Sequence, residues 1–309
     1  MSTLWPRIEP LLAKVQKPAR YIGCEDGAIT PRHSTFGDGE AVSWLLAYPD
    51  TYEIGLPNQG LQILYEILNE RDDALAERTY APWTDLLAEM RAADVPLFSV
   101  DGHRSAEEFD VLAFNLSSDL VYTNVLEMID LARAPIHTAD RSDDDLVVIV
   151  GGHAAFNPEP IADFIDVAVL GDGEEASLLI SEIVREWKQE ARPGGRDGLL
   201  ERLASTGAFY VPAFYDVDYL DDGRIQRVAP NRDAAPFQVR KHTLMDLDAW
   251  PYPKKPIVPL AETVHERYSV EIFRGCTRGC RFCQAGMITR PVRERPAEQV
   301  RTMITDGLR

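Results

Sequence analysis

The sequence predicts an α/β fold that begins with a doubly wound, mostly parallel sheet and continues through a connector into one further strand–helix unit. Two observations carry this prediction. Short apolar runs alternate with helix-like stretches between residues 42 and 189, and a proline-rich segment follows them. The chain has 309 residues and 45% hydrophobic content, which is enough to bury a sizeable core.

The apolar runs are suited to strands of a parallel sheet, because such strands are covered on both faces and need no alternation. They lie at residues 42–48, 95–100, 111–116, 146–152 and 167–171. Helix-like stretches lie between or after them, at residues 61–68, 83–93, 121–132 and 174–188. We therefore expect an N-terminal extension at 1–40 and a Rossmann-like α/β domain at 41–190.

The regular pattern loosens after residue 190. Residues 230–259 contain six prolines, a density that interrupts regular elements and is typical of an extended connector. Beyond them, residues 268–275 predict one new strand that runs directly into a group of cysteines. We expect a connector at 191–266, proline-rich from 230, and a second unit that begins at 267.

Charge is distributed unevenly along the chain. The net charge is −18, yet residues 267–309 hold nine arginines against four acidic residues. An acidic body repels phosphate backbones, so nucleic-acid binding by this part is not indicated. The N-terminus lacks the apolar core of an export signal and no apolar run is long enough to span a membrane, so a cytoplasmic location with reduced thiols is expected.

Three of the four cysteines fall within eight positions, in the stretch GCTRGCRFC. Cys276, Cys280 and Cys283 have the spacing C-x3-C-x2-C, which lets one loop turn three thiolates toward a common centre. Three thiolates on a four-iron cluster leave one iron open for chemistry. Two alternatives remain: buried structural thiols, and a zinc site, for which neither Cys24 nor His265 completes a usual paired spacing.

With Phe282 before the last cysteine, this stretch resembles the cluster loop of the radical S-adenosylmethionine (SAM) superfamily. The resemblance implies that Cys276, Cys280 and Cys283 bind a 4Fe–4S cluster and that Phe282 packs near SAM. It also implies an electron donor for the cluster and a 5′-deoxyadenosyl radical that acts on a substrate. The sequence identifies neither that substrate nor a catalytic residue.

The longer string FRGCTRGCRFCQAGMITRPVRERP resembles a narrower group of radical SAM proteins that carry an N-terminal cobalamin-binding-like domain. Such domains commonly show Asp-x-His-x-x-Gly after the first strand. This chain has Asp50, Tyr52 and Gly55 at those positions, so tyrosine stands where histidine would bind cobalt. A phenol is a poorer cobalt donor and stays protonated at neutral pH.

Two later motifs of the cobalamin-binding domains also have counterparts. Ser118 fits a Ser-x-Leu motif, although the strand register would instead put Asn115 at the strand end. Gly151 and Gly152 fit a Gly-Gly near the nucleotide tail, and His153 follows them. The resemblance thus suggests cobalamin as a further cofactor, which the residues themselves leave open, since a similar fold does not establish a ligand.

Other features have ordinary structural interpretations. Residues 171–175, GDGEE, open a helix with acids in its first turn, which the helix dipole favours without any function. Cys24 is expected to be a lone structural thiol. Arg290, Arg293 and Arg295 could bind an anion, but solvated arginines are the default expectation.

The radical SAM core resembles a TIM-type barrel, and an eight-unit barrel takes about 250 residues. Only about forty residues follow Tyr268, enough for the first strand–helix unit of such a barrel. We therefore expect the chain to be the N-terminal part of a longer protein. Two functions are open: part of a radical SAM enzyme, which could support cobalamin-dependent methyl transfer, or a non-catalytic module that binds cobalamin or another small ligand.

Overall fold

A computed structural model describes residues 3–29 and 40–308 of the chain. At its centre is a six-stranded sheet in the order β2–β1–β3–β4–β5–β6, parallel throughout except for the last strand. The strands are β1 (Val42–Tyr48), β2 (Ala74–Tyr80), β3 (Val111–Asn115), β4 (Val147–Gly151), β5 (Val167–Val169) and β6 (Phe209–Tyr210). The predicted α/β class with a mostly parallel sheet is confirmed.

Helices cover both faces of this sheet. They are α1 (Trp5–Leu12), α2 (Tyr52–Gly55), α3 (Gln59–Asn69), α4 (Thr84–Ala92), α5 (Tyr122–Leu131), α6 (Glu174–Gln189) and α7 (Gly195–Ser205). One apolar core lies on the face covered by α1, α4 and α5, and a second lies on the face covered by α3, α6 and α7. Part of the expected N-terminal extension, residues 1–2 and 30–39, lies outside the described residues.

Strand β2 replaces the strand that we expected at residues 95–100, and that expectation is wrong. Residues 95–100 are irregular apart from an isolated bridge between Phe98 and Ser105. Their apolar side chains are nevertheless buried against the core. The apolar run therefore indicated burial and not strand geometry. Strand β2 carries the sequence ALAERTY, and its buried charges concealed it.

The sheet extends beyond the boundary expected at residue 190, since α7 packs on it and β6 pairs with β5. An antiparallel hairpin of β7 (Tyr215–Tyr219) and β8 (Ile225–Pro230) follows. The extended segment with most of the prolines then leads to β9 (Phe273–Arg274), shorter than expected, and to its antiparallel partner β10 (Arg293–Glu294). The cysteine loop and α8 (Ala285–Ile288) lie between β9 and β10, and α9 (Ala297–Gly307) ends the described chain.

No helix within residues 3–29 and 40–308 is both long enough and apolar enough to span a bilayer.

Candidate functional site

A cavity of about 360 Å³ opens at the carboxyl ends of the parallel strands. The strand order reverses direction between β1 and β3, and doubly wound sheets bind ligands beside such a reversal. The inner wall is apolar and comes from both the sheet and the helices that cover it. It includes Trp44, Leu46 and Ile149 from the strands and Leu61, Leu64 and Ile180 from α3 and α6. The cavity is thus a slot between sheet and helices with a polar mouth.

Gly151 and Gly152, both predicted from sequence, line this cavity. Gly152 has φ +99°, and a Cβ there would lie 2.6 Å from the carbonyl oxygen of Leu116. Only glycine fits this turn, which brings bare backbone to the cavity wall. His153 follows on the same turn, is exposed and also lines the cavity.

The two candidate residues at the end of β3, Asn115 and Ser118, have different surroundings in the structure. Asn115 lines the cavity, and its Nδ2 donates to Asn58 Oδ1 at 3.2 Å. The same Asn58 oxygen caps α3 by accepting the Leu61 N–H at 2.9 Å. Ser118 lies outside the cavity lining and accepts the Leu120 N–H at 3.3 Å, which caps a short turn. Of the two candidates, Asn115 is therefore the one that lines the cavity, and the neighbouring Ser117 lines it as well.

The first predicted motif does not reach the cavity. Tyr52 is 1% exposed and packs edge-to-face on Tyr80, with ring centroids 5.4 Å apart. Its hydroxyl accepts the Leu260 N–H at 3.0 Å, and burial together with the charge of Glu25 raises the pKa of this phenol far above its ordinary value. A neutral buried phenol is not available as a cobalt ligand.

The other two members of that motif have local roles. Asp50 Oδ1 accepts the Thr51 N–H at 2.7 Å in the turn before α2. Gly55 lies against the ring of Tyr80, where a Cβ would approach to 2.5 Å. Both positions shape the loop after β1, and neither lines the cavity.

One side of the cavity mouth is a charged wall formed by Asp172, Glu174, Glu271, Arg274 and Arg293. Arg274 donates to Glu174 at 2.7 Å, to Glu271 at 2.9 Å and to Asp172 at 3.1 Å. Arg293 donates to the other oxygen of Asp172. The charges that line the cavity are balanced, because Lys241 and the two guanidinium groups face three carboxylates.

Asp172 is the centre of this wall. Burial opposes its ionisation, but the hydrogen bond from the Leu244 N–H and the charges of Arg274 and Arg293 outweigh burial and lower its pKa. The stretch 171–175, expected to be mostly structural, therefore contributes both to the cavity and to its ion pairs.

The expectation of solvated arginines is wrong for two of the three. Arg293 and Arg295 are each 6% exposed. Arg293 also donates to the carbonyl of Leu244 at 3.0 Å, and Arg295 pairs with Glu271 at 3.2 Å. Arg290 is exposed and donates to the carbonyl of Arg278 at 3.2 Å.

The cysteine loop lies between β9 and α8, directly after Arg274. Cys276 and Cys283 are half-buried, Cys280 is exposed, and none forms a disulfide. The Arg278 N–H donates to Cys276 Sγ at 3.4 Å, and Phe282 is 93% exposed. Three free thiols on one loop are a donor set suited to an iron–sulfur cluster.

The described residues contain no group of three His, Cys, Asp or Glu side chains already gathered around a point where a metal ion could sit. The loop therefore presents its thiols without having closed them on one centre. Cys24, in an exposed turn with φ +66°, does not complete a metal site with them either.

Comparison with protein families gives one match. Residues 60–212 fit the family model described as the N-terminal domain of radical SAM proteins. Over this range the chain is similar to the N-terminal part of radical SAM proteins. The matched range runs from the N-terminal end of α3 to the residues just after β6, and so covers much of the sheet and its cavity.

Individual proteins also resemble this chain. A protein of Methanocaldococcus jannaschii, described as uncharacterised, is 22% identical over 226 residues, which is 72% of this chain and 40% of that protein. The solved structure of TsrM, a radical SAM methyltransferase from Kitasatospora setae with tryptophan and a SAM analogue bound, is 15% identical. It matches with a TM-score of 0.43 over 85% of this chain and 45% of TsrM. The chain spans less than half the length of either relative.

Proposed function

We propose that this chain acts within a radical SAM enzyme and that Cys276, Cys280 and Cys283 hold its 4Fe–4S cluster. One observation carries the proposal: three free thiols with C-x3-C-x2-C spacing share a single exposed loop. The similarity of residues 60–212 to the N-terminal part of radical SAM proteins supports it. The loop has to close around the cluster, since the thiols are not yet gathered. When bound, such a cluster supplies the electron and the open iron site with which SAM is cleaved.

The chain's own residues have supporting roles in this proposal. The Arg278 N–H donates to Cys276 Sγ at 3.4 Å, a contact that ties this sulfur to the backbone of the loop. Phe282 extends into solvent beside the thiols and offers a face against which SAM can pack. An electron donor and a substrate are further partners that the proposal requires.

Anaerobic reconstitution with iron and sulfide tests the cluster. The wild-type chain is expected to bind about four irons and four sulfides. The triple variant Cys276→Ala/Cys280→Ala/Cys283→Ala should bind none, while Cys24→Ala should bind as the wild type does. Tight stoichiometric zinc in place of iron, or equal iron in the triple variant, would contradict the proposal. Formation of 5′-deoxyadenosine from SAM under reductant then tests for enzyme activity.

A second candidate function is binding of cobalamin or another small ligand in the cavity. The slot between sheet and helices, with bare backbone at Gly151 and Gly152, supports entry of a flat group. Tyr52 would supply no axial ligand, because it is buried and hydrogen-bonded elsewhere.

Titration with hydroxocobalamin, followed by its visible spectrum and by retention on gel filtration, tests this second function. Ala113 lines the cavity, so Ala113→Leu fills part of the slot and should weaken retention by at least tenfold. Ala297→Leu, at an exposed position on α9, is the control. If the wild type and Ala113→Leu gave the same spectrum and the same retention of cobalamin, the cavity would not be the binding site.

A further inference from the structure

Arg274 connects the sheet to the cysteine loop. It ends β9, and only Gly275 separates it from Cys276. Its guanidinium binds Asp172, just before α6, and Glu174, the first residue of α6. It also binds Glu271 on its own segment. Its side chain is 17% exposed and that of Glu174 is 4% exposed, so these are largely desolvated pairs.

A second arginine holds the other end of the same loop. Arg293 begins β10, which pairs with β9, and it donates to Asp172 and to the carbonyls of Leu244 and Thr289. Both ends of the segment from Gly275 to Val292 are thereby fixed to one aspartate. The connector is fixed to that aspartate as well, through the Leu244 N–H.

We infer that Arg274 is a positioning residue for the cysteine loop, an inference that rests on the proposed cluster function. The fork of Arg274 spans three carboxylates at once, which a lysine ammonium cannot reproduce with fixed geometry. The loop after β5 thereby sets where Cys276 stands relative to the sheet. Arg274 touches neither the thiols nor a substrate, and acts through the backbone of β9.

The test compares Arg274→Gln and Arg274→Lys with Arg301→Gln, which removes an arginine from an exposed pair with Glu298 on α9. The first readout needs no cluster. Native alkylation by iodoacetamide, followed by mass spectrometry, gives the rate at Cys276 relative to Cys24, an exposed thiol outside the loop. This ratio should rise several-fold in Arg274→Gln, rise less in Arg274→Lys and stay at the wild-type value in Arg301→Gln.

The second readout is the affinity for iron, measured as the chelator concentration that removes half of the bound metal. Residues that orient metal ligands typically change metal affinity by about 10-fold or more, and a loss of that size is expected for Arg274→Gln. The line shape of the reduced cluster in electron paramagnetic resonance should also change. A melting curve of each metal-free variant separates these effects from loss of fold.

Glu174→Gln supplies a second variant that should preserve the fold, because it keeps the side-chain shape while weakening the pair with Arg274. Its effect on Cys276 alkylation should not add to that of Arg274→Gln, since both remove the contact between Arg274 and Glu174. Additive effects, or an alkylation ratio unchanged in Arg274→Gln, would overturn the inference. Failure of the wild-type chain to take up iron would count against the proposed cluster alone, because the alkylation ratio still decides the role of Arg274.

Discussion

The hydroxyl of Tyr52 accepts a 3.0 Å hydrogen bond from the backbone N–H of Leu260, 208 positions further along the chain. This bond fastens the end of the proline-rich segment to the loop after β1. Tyr52→Phe removes the acceptor and leaves the ring packing intact, so it should lower the free energy of unfolding by about 1 kcal/mol. Urea unfolding measures this loss. Tyr219→Phe, at a side chain that is largely exposed, should have no measurable effect.

Gly171 combines a φ of +101° with a close backbone neighbour, since a Cβ there would lie 2.1 Å from the carbonyl oxygen of His242. Gly171→Ala should therefore cost roughly 3 kcal/mol of stability, from backbone strain and displacement of the connector. Gly207 has φ +73° with nothing within 4 Å of an added Cβ, so Gly207→Ala should cost only about 1–2 kcal/mol. Equal thermal shifts in the two variants would show that the contact with His242 is unimportant.

Arg78 is completely buried and donates to Asp101 at 2.6 Å and to Glu25 at 3.0 Å. Arg78→Leu leaves two buried carboxylates without their cation and should destabilise the fold by about 3–5 kcal/mol. Arg224→Leu removes an exposed pair with Asp222 and should leave the denaturant midpoint unchanged. Denaturant midpoints of the two variants give the comparison. Similar midpoints would contradict the assignment of Arg78 to a desolvated pair.

His242 gives the fold a pH dependence with a definite sign. Burial lowers the pKa of its imidazole below the ordinary value of 6.5, against the raising effect of its bond to the carbonyl of Ala208. The unfolded chain therefore binds a proton before the folded chain does, so stability is full above pH 6.5 and falls as pH decreases toward the folded pKa. His103 shifts in the same direction and adds to the wild-type curve.

Urea midpoints at pH 7.5 and 5.5 measure this loss of stability. His242→Gln should reduce the difference between the two midpoints, and the part that remains contains the effect of His103. His265→Gln, at an exposed histidine, is the control. A His242→Gln variant that loses as much stability on acidification as the wild type would contradict the assignment.

The hydrophobic pattern predicted four of the six strands and the helices between them, because buried parallel strands are continuous apolar runs. It failed at β2, where Glu77 and Arg78 interrupt the run. Each is buried because a partner on another segment neutralises it: Arg104 at 3.1 Å from Glu77, and Asp101 and Glu25 for Arg78. Such partners have no signature in the sequence of the strand itself.

Only part of the candidate site could likewise be predicted from the sequence. Gly151 and Gly152 could be found because a glycine pair after a strand signals a close turn. The charged wall could not be predicted from the sequence. Asp172 has the pattern of an ordinary acidic residue at a helix start and Arg293 that of a surface arginine, and only the fold brings the two together. Tyr52 shows the opposite error, a site residue predicted where the structure has none. Its position in a motif suggested a ligand site, but it is buried and hydrogen-bonded as a packing residue.

Asp172 meets Arg274 and Arg293 across separations of 102 and 121 positions. Pairings of this range close late in folding, after the local strand–helix units have formed. During synthesis the sheet is complete before these arginines emerge. We therefore expect the cysteine loop to reach its place on a scaffold whose sheet has already formed, so that loading of the proposed cluster would be a late step of maturation, separate from the folding of the nascent chain.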